Sequence, residues 1–387
     1  MSVGFTDGFF GRSVFLTGHT GFKGSWLALW LHRLGAHVTG YSLPSPADPS
    51  NFVSSRVGET LVRSYDADVR DFAALQAALR ACQPDLVIHL AAQALVRQSY
   101  LDARETFDVN IMGTANVLES VRSLHRPCTV IVVTSDKCYD NSDHQRVHRE
   151  TDPLGGNDPY SASKAAAEIV TSAYRKSFFS PEGLAAPSIK VATVRAGNVV
   201  GGGDWAVDRI VPDAVRALSS GRPLAVRNPG SIRPWQHVLE PLSGYLTLAS
   251  RMLSSDDPAL CSSWNFGPTA EDEATVEDLV EGFCQAWGNG KWQRSGVRDQ
   301  LAEERCLRLS STKAREQLGW QPRWSFHEAV ERTARWYRTF HDGPACSTRD
   351  LCVRDISDYE TSDSGTDSSL NFMRLADSTG TTDRISG

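Results

Sequence analysis

The sequence lacks the features that mark several large classes of protein. None of its 387 residues falls in a run of about 20 uninterrupted apolar residues, the length that crosses a membrane. Residues Met1 to Arg12 have neither the basic start nor the apolar middle of a signal peptide. The net charge of -6 gives no overall basic field that would attract nucleic acid. We therefore expect a cytoplasmic protein with no membrane segment and no nucleic-acid partner.

Cysteines are also few and widely spaced. The eight cysteines include no close CxxC pair, so the sequence predicts neither a metal site nor a redox dithiol. We interpret them as reduced thiols. What the sequence does contain is a hydrophobic fraction of 41%, which at this length is enough for one large or two interleaved domains with a substantial core.

The most informative chemical pattern places a phenol and an ammonium one helical turn apart. Asp158 is a good N-cap and Pro159 suits a first helical turn, so Tyr160 and Lys164 should project from one helix face. A cation near the phenol lowers the pKa of tyrosine from its ordinary value of about 10 and makes it a better base. Most Tyr-x-x-x-Lys pairs are ordinary helix surface, so the pattern gains meaning only from its context.

A glycine-rich loop supplies part of that context. It follows a predicted strand, Ser13 to Thr17, and precedes a predicted helix, Ser25 to Leu34. Glycines there permit a tight turn and close approach of a pyrophosphate, and a helix N-terminus favours phosphate. The spacing is GxxGxxG rather than GxGxxG. We interpret the loop as a dinucleotide site formed by Gly18, His19, Thr20, Gly21, Phe22, Lys23 and Gly24.

The choice between NAD and NADP is not settled by the second predicted strand, His37 to Tyr41. An acidic residue commonly binds the ribose of NAD after this strand, but Ser42 to Ser45 follow here. Asp68, after a third predicted strand at Leu61 to Tyr65, can accept a hydrogen bond from adenine. The acidic residues around it are equally typical of a helix start and a solvated face.

Two continuous apolar runs predict buried parallel strands. The run from Leu86 to Ala92 contains His89, which we interpret as a core histidine rather than a catalytic one. The run from Thr129 to Thr134 delivers a Ser-Asp-Lys triplet at 135–137, at the sheet edge where open α/β sheets bind ligands. A long helix, Ala103 to Leu124, is predicted between them.

The alternation of strands and helices predicts an α/β protein with a Rossmann-like, doubly wound parallel sheet and a smaller, mainly C-terminal lobe that binds substrate. From Asp342 onward the chain is rich in Ser, Thr, Asp and Gly, so we predict a disordered and dispensable tail. The predicted divisions are an N-terminal extension (1–12), a dinucleotide-binding domain (13–197, with part of 233–268 returning to it), the second lobe (198–232 and 269–341) and the tail (342–387).

Two segments of the second lobe carry candidate substrate ligands. One is the glycine-rich loop from Asn198 to Trp205, and the other runs from Ser231 to Val238. Arginine side chains bind diphosphates well because they donate two parallel hydrogen bonds, although surface arginines are the alternative interpretation. The predicted substrate-binding residues are Asn198, Arg209, Arg233, Gln236 and His237.

Together these segments resemble the extended short-chain dehydrogenase/reductase family and, within it, the nucleotide-sugar dehydratases. Many related dehydratases have glutamate where this chain has Lys137, and lysine is typical of the branch that acts on CDP-glucose. The matching segments are Thr17 to Trp26, His89 to Gln93, Thr134 to Tyr139, Tyr160 to Lys164, Asn198 to Trp205 and Arg233 to Val238.

The resemblance implies an NAD-dependent hydro-lyase of deoxysugar biosynthesis that converts CDP-glucose to its 4-keto-6-deoxy form. Tyr160 would take the hydroxyl proton at sugar carbon 4 while hydride passes to NAD, and Ser135 would hold that hydroxyl. Asp136 and Lys137 would manage the loss of water across carbons 5 and 6, and hydride would return to carbon 6. Further cofactor contacts would come from Asp68, Val69, Leu90, Ala91, Ala92, Gln93, Asn110, Tyr160 and Lys164.

Relatives usually form homodimers or homotetramers, pairing through two helices per subunit, for which Ala103 to Leu124 and Asp158 to Tyr174 are the candidates. Three other functions stay open. A dehydratase for another nucleotide sugar or a 4-epimerase would share the fold, although an epimerase needs no acid-base pair for loss of water. A catalytically silent Rossmann module that senses a nucleotide would not need Tyr160, Lys164 and Ser135.

Overall fold

The computed structural model describes residues 8–45, 49–142, 146–179, 188–288, 290–295, 306–343 and 347–362. Fifteen strands lie in these ranges, most of the long ones in the first half of the chain. They are β1 (Ser13–Thr17), β2 (His37–Ser42), β3 (Arg63–Asp66), β4 (Leu86–His89), β5 (Cys128–Val133), β6 (Val147–His148), β7 (Ile189–Ala196), β8 (Val199–Val200), β9 (Leu224–Val226), β10 (Ile232–Arg233), β11 (Gln236–His237), β12 (Ser263–Phe266), β13 (Ala274–Thr275), β14 (Trp292–Arg294) and β15 (Arg308–Leu309).

The helices alternate with the strands through the first two hundred residues and dominate the end of the chain. Short π-helical segments cover Asp108–Met112 and Ala314–Leu318, and short 3-10 segments cover Val57–Thr60, Asp136–Cys138, Pro258–Leu260 and Ala270–Asp272. The α-helices are α1 (Phe22–Arg33), α2 (Asn51–Ser54), α3 (Phe72–Cys82), α4 (Val96–Leu101), α5 (Ala103–Phe107), α6 (Gly113–Arg122), α7 (Pro159–Ser177), α8 (Ile210–Ser219), α9 (Leu239–Ser254), α10 (Val276–Trp287), α11 (Phe326–Asp342) and α12 (Thr348–Thr361).

Seven strands form one parallel sheet in the order β12-β7-β5-β4-β1-β2-β3. Neighbouring residues of the central strands face opposite sides: Val14 and Leu16 belong to one core cluster, and Phe15 lies in the other. Every residue of β5 is buried, which explains its unbroken apolar sequence. The predicted doubly wound parallel sheet is therefore confirmed.

The predicted second lobe contains short strand pairs and, within the described ranges, the three α-helices α8, α10 and α11. Strand β9 pairs with β14, and β10 pairs with β13, beside helices α8 and α10. The chain between these parts returns to the first domain, because β12 forms the edge of the main sheet next to β7. This arrangement leaves a cleft between the carboxyl ends of the parallel strands and the second lobe.

Two predictions for the ends of the chain need correction. Phe9, in the predicted N-terminal extension, is fully buried in the main core. Residues Thr348–Thr361, in the predicted disordered tail, form helix α12, whose Leu351, Ile356 and Tyr359 are buried. Burial of these apolar side chains offsets the entropy lost on ordering the helix. Residues 344–346 and 363–387 of the predicted tail lie outside the described residues.

Two other predicted elements differ in detail. The predicted long helix exists as α5, a π-helical turn and α6 in direct succession, ending at Arg122. The third strand begins at Arg63 rather than Leu61. His89 is a core histidine as predicted: its two ring nitrogens lie 2.7 Å from Thr17 Oγ1 and 3.2 Å from Thr114 Oγ1.

Candidate active site

A cleft of about 930 Å³ opens at the carboxyl ends of the sheet strands. Its lining combines the first glycine-rich loop, the residues after β4 and β5, the start of α7 and the loops of the second lobe. Open parallel sheets bind ligands at this edge because the loops after the strands meet there. The predicted catalytic residues Ser135, Asp136, Lys137, Tyr160 and Lys164 all line the cleft.

Helix α7 positions the Tyr160 and Lys164 side chains. The Asp158 carboxylate caps the helix by accepting hydrogen bonds from Ser161 N at 2.9 Å and Ser161 Oγ at 2.6 Å. Pro159 occupies the first turn, as expected. Lys164 Nζ donates a hydrogen bond to Val133 O at 3.2 Å, which ties α7 to the end of β5.

The acid-base properties of this pair differ from the prediction. Burial raises the pKa of Tyr160 to about 12, and the opposing effects come from a hydrogen bond with Ser135 and the charge of Arg209, not from Lys164. Burial and the nearby Lys23 charge lower the pKa of Lys164 to about 8. In the low-dielectric cleft each side chain is thus shifted toward its neutral form, because burial disfavours both charges.

The Ser-Asp-Lys triplet forms a tight turn after β5. Ser135 Oγ donates to Asp136 Oδ1 at 3.0 Å and accepts from the Lys137 backbone N–H at 3.2 Å. Asp136 is almost fully buried, and Gly197 on the neighbouring loop lies so close that a Cβ there would be 3.2 Å from Asp136 Oδ2. The triplet and Tyr160 therefore form one cluster at the cleft floor, with the Ser135 hydroxyl shared between them.

A buried ion pair supports this cluster from below. Arg195 on β7 donates two hydrogen bonds of 2.8 Å to the carboxylate of Glu168 on α7, which also accepts from Thr134 Oγ1 at 2.5 Å. Burial alone would raise the pKa of Glu168, but the hydrogen bonds and charge of Arg195 lower it below its usual range. The network joins β5, β7 and α7 directly behind the Ser135 turn.

The glycine-rich loop has the shape that a dinucleotide pyrophosphate requires. Gly18 has φ +74°, and a Cβ on it would lie 2.7 Å from Ala91 N, so only glycine fits. A Cβ on Gly24 would lie 2.1 Å from Gly18 O. Helix α1 begins at Phe22, its N-cap Gly21 has no side chain to cap it, and its first turn has no acidic residue, which leaves its N–H groups available to phosphate.

Most of the predicted cofactor residues line the cleft, but two lie behind its wall. His19 is fully buried, with Nε2 2.8 Å from Ser64 Oγ, and burial lowers its pKa to about 4. Asn110, in the π-helical turn, donates to Gln93 O at 3.0 Å and to Ser163 Oγ at 2.8 Å. These two residues hold the loop and α7 in place. The predicted residues in the lining are Gly18, Thr20, Gly21, Phe22, Lys23, Gly24, Asp68, Val69, Leu90, Ala91, Ala92, Gln93, Tyr160 and Lys164.

Asp68 lies at the end of the cleft beyond β3. Its carboxylate forms an ion pair with Arg70, at 2.6 Å from Nη2 and 2.9 Å from Nε. Burial tends to raise the pKa of Asp68, and the Arg70 hydrogen bonds and charge lower it overall. An ionised carboxylate at this point can accept hydrogen bonds from an adenosine group.

The predicted substrate residues divide into two groups. Asn198, Arg209 and Arg233 line the cleft, and Arg209 Nη1 lies 2.9 Å from the Asp204 carboxylate. Gln236 and His237 lie in the core behind it, because strand β11 is buried against β8. Gln236 Nε2 donates to Phe266 O at 3.0 Å. The prediction that Gln236 and His237 bind substrate is therefore wrong: they lie outside the cleft lining and hold the loop that carries Asn198.

Three charged cleft residues were missed in the sequence. Asp208 has φ +60° and lies between Arg97 and Arg227, at 3.9 Å and 3.6 Å. The three are far apart in sequence and belong to no motif, so no local signal could have joined them. Among the described residues there is no cluster of potential metal ligands and no helix long and apolar enough to span a membrane.

Comparisons with known proteins agree with this geometry. The profile of the GDP-mannose 4,6 dehydratase family matches residues 15–333. A CDP-glucose 4,6-dehydratase of Salmonella typhimurium is 46% identical over 353 residues, which cover 90% of this chain and 96% of the relative. A dTDP-glucose 4,6-dehydratase of Xanthomonas campestris is 24% identical over 342 residues, which cover 84% of this chain and 92% of the relative.

Solved structures share the fold at lower identity. A dTDP-glucose 4,6-dehydratase of Streptomyces venezuelae, solved with NAD bound, superposes with a TM-score of 0.72 at 23% identity and covers 84% of this chain and 97% of its own. A UDP-glucuronic acid 4-epimerase of Bacillus cereus, solved with UDP-glucuronic acid and NAD, superposes with a TM-score of 0.71 at 19% identity. The match covers 84% of this chain and 99% of the epimerase. Since the family profile spans most of the sequence and one dehydratase is nearly half identical, the chain belongs to the GDP-mannose 4,6 dehydratase family of extended short-chain dehydrogenases/reductases.

Proposed function

We propose that the protein is a CDP-glucose 4,6-dehydratase that uses NAD and releases CDP-4-keto-6-deoxyglucose and water. The observation that carries this proposal is the single cluster of Tyr160, Ser135, Asp136 and Lys137 at the floor of a cleft suited to a dinucleotide. The 46% identity to a CDP-glucose 4,6-dehydratase supports the choice of substrate.

The oxidation step depends on Tyr160 and Ser135. Bound NAD supplies the hydride acceptor for carbon 4 and the hydride donor for carbon 6. The Ser135 hydroxyl, within hydrogen-bonding reach of Tyr160, orients the hydroxyl at carbon 4. Tyr160 Oη takes the proton of that hydroxyl. Because burial raises the pKa of Tyr160 to about 12, a positive charge brought close to it by a ligand would favour the phenolate.

Loss of water requires a second proton-transfer pair. Once carbon 4 is a ketone, the hydrogen at carbon 5 becomes acidic, and its removal must be matched by a proton delivered to the leaving hydroxyl of carbon 6. Asp136 and Lys137 adjoin Ser135, so one of them can accept a proton while the other supplies one. A 4-epimerase needs no such pair.

A panel of nucleotide sugars tests the proposal. The protein is incubated with CDP-, dTDP-, UDP- and GDP-glucose, and formation of a 4-keto product is measured by absorbance in alkali and by mass spectrometry for loss of water. We expect CDP-glucose to react fastest. Faster turnover of another nucleotide-glucose would reject the substrate, and epimerisation without loss of water would reject the dehydratase. Mass spectrometry of the released nucleotide should identify NAD, and NADP would contradict that assignment.

We also infer a homodimer, or a homotetramer built from such dimers, paired through α5, α6 and α7. Phe107, Met112 and Ile169 expose large apolar side chains on adjacent segments, at 37%, 51% and 59%. Such patches favour association. Light scattering should show a dimer or tetramer that M112E with I169E dissociates. V62E, at another exposed apolar residue, is the control, and a monomeric wild type would contradict the inference.

A cytoplasmic location is part of the same proposal. The seven cysteines in the described ranges are all free thiols, as expected in a reducing compartment. Fractionation of the native host should recover the activity with soluble cytoplasmic enzymes, and recovery with the periplasm or membrane would contradict this location.

A further inference from the structure

Helix α12 is firmly docked although it contributes no residue to the cleft lining. Its Leu351, Cys352, Ile356 and Tyr359 are buried in the main core. Its C-terminal carbonyls are held by Arg323, whose Nη1 donates to Tyr359 O at 2.8 Å, Glu360 O at 3.1 Å and Ser362 O at 2.9 Å. Capping of this kind fixes the end of a helix on its support.

One face of α12 contacts the helix that forms part of the cleft wall. Cys352 Sγ lies 3.5 Å from Asn51 Oδ1 and 3.8 Å from Ser55 Oγ. Ser55 Oγ donates to the same Asn51 oxygen at 2.7 Å. Asn51 lines the cleft, so α12 contacts a cleft residue through the Cys352 thiol, which shares the Asn51 amide oxygen with Ser55 at the end of α2.

Asn51 in turn contacts the second glycine-rich loop. Gly203 has φ +81°, and a Cβ on it would lie 2.6 Å from Asn51 Cβ, so α2 and this loop touch closely. The next residue, Asp204, holds the predicted diphosphate ligand Arg209. Contacts therefore run without a break from Cys352 through Asn51 and Gly203 to Arg209.

A second route reaches the same loop through α11. Asp355 on α12 is nearly fully buried and lies 3.1 Å from Arg335 and 3.5 Å from Arg332 of α11. Trp336 of α11 packs against Gly202, where an added Cβ would meet its ring at 2.1 Å. Both α12 contacts thus converge on the loop that begins the substrate side of the cleft.

We propose that α12 is a positioning element of the cleft, and that Cys352, Asp355 and Arg323 are its positioning residues. The inference rests on the proposed cofactor and substrate sites. If docked α12 holds Asn51 and the Gly202–Gly203 loop in the ligand-binding arrangement, then a ligand that stabilises this arrangement must also stabilise the docking of α12. This reciprocity follows from thermodynamic linkage.

Hydrogen exchange on the wild-type protein tests the linkage directly. NAD and CDP are added separately, binding is confirmed in the same samples by calorimetry, and exchange is followed in peptides that cover 347–362. We expect bound ligand to slow exchange in α12 although no α12 residue lines the cleft. Unchanged exchange with ligand bound would overturn the inference. Failure to turn over CDP-glucose, with α12 still protected by NAD, would instead reject the proposed function alone.

A variant that loosens α12 tests the linkage in the other direction. R323A removes the bonds to the last α12 carbonyls without altering any cleft residue. R338A is the control, since Arg338 lies on the neighbouring α11 and donates to Ala286 O at 3.2 Å on the surface. We expect R323A to raise the Kd of NAD and the KM of CDP-glucose at least about fivefold, with kcat unchanged. A lower Tm with unchanged Kd and KM would mean that α12 is merely structural.

Discussion

Helices α7 and α12 are each held in place by a buried glutamate, one on α7 itself and one on α9, and the two glutamates are stabilised differently. Glu168 of α7 faces the Arg195 guanidinium, which lowers its pKa below the usual range. Glu240 of α9, which anchors α12, accepts hydrogen bonds from neutral donors: Tyr359 Oη at 2.7 Å, Trp324 N at 2.8 Å and Arg323 N at 3.1 Å. Burial raises the pKa of Glu240 to about 7.

The opposite pKa shifts of the two glutamates match two different roles: Glu168 supports the catalytic residues, and Glu240 anchors a helix outside the cleft. Glu168 stays ionised near neutral pH, so its ion pair with Arg195 holds the Ser135 turn and α7 in place during proton transfer in the cleft. The Glu240 anchor can gain or lose a proton near neutral pH, which makes the docking of α12 the more adjustable contact. Four sets of variants test these different roles.

Removal of α12 should have the largest effect on stability. Truncation after His341 exposes the core surface covered by Leu351, Ile356 and Tyr359, each worth roughly 1.5–3 kcal/mol when buried. The total approaches the whole stability of a typical domain, about 5–15 kcal/mol. We therefore expect little folded protein by circular dichroism and urea titration. Truncation after Ser362 is the control that keeps α12, and a stable, active protein ending at His341 would contradict the structure.

On α7 the largest effect should be on chemistry rather than on stability. Y160F removes the proton acceptor and should lower turnover of CDP-glucose by roughly 10²–10⁴-fold. The fold and NAD affinity should persist, because the Asp158 cap and the Lys164 hydrogen bond to Val133 are untouched. Turnover, the Kd of NAD and Tm measure these quantities together. A fall in Tm comparable to that of the α12 truncation would remove the contrast between the helices.

The Asp136–Lys137 pair should act later in the reaction than Tyr160. D136N with K137A should spare much of the oxidation and slow the loss of water by roughly 10²-fold, because these groups act once the ketone exists. Stopped-flow absorbance should then show reduced nicotinamide that builds up on the protein, and solvent deuterium should enter carbon 5 more slowly. Wild-type dehydration, or failure before any reduction, would contradict the assigned roles.

The two helices also differ in how well the sequence predicts them. For α7, an aspartate cap, a proline and the Tyr160–Lys164 spacing lie within seven residues, and each acts locally. The Ser-Asp-Lys turn was predictable for the same reason, since an apolar strand delivers it to the sheet edge. Gln236 and His237 were placed in the cleft because they follow Arg233, but burial of a two-residue strand is decided by distant packing.

Helix α12 was not predicted, because the high Ser, Thr, Asp and Gly content of 342–387 indicates disorder when the segment is averaged, although it includes a short amphipathic stretch. Ser347 and Asp350 form a capping box, and apolar residues follow at 351, 352, 356 and 359, on one helix face. That local signal was present in the sequence. Its docking partners were not, because Arg323, Glu240 and Asn51 are brought to α12 only by the tertiary fold.

The smallest expected effect concerns pH and the Glu240 anchor. A carboxyl with a higher pKa in the folded than in the unfolded protein binds more protons when folded, so stability falls as pH rises from its ordinary pKa of 4.5 to about 7. Asp355, raised to about 6 by burial, contributes with the same sign. Glu168 has the opposite shift: its contribution is present above its ordinary pKa and is lost only as pH falls through its lower folded value.

E240Q isolates the anchor, because glutamine can keep the hydrogen bonds but cannot ionise. Urea titrations at about pH 5 and about pH 8 should show wild-type stability decreasing on the order of 1–3 kcal/mol more than that of E240Q. The difference between the two proteins removes the contribution of Asp355. E168Q is the matched comparison and should lose stability at both pH values, since it breaks a buried ion pair that stays charged throughout this window. Equal pH slopes for wild type and E240Q would show that Glu240 does not titrate here, and the two glutamates would then anchor their helices in the same way.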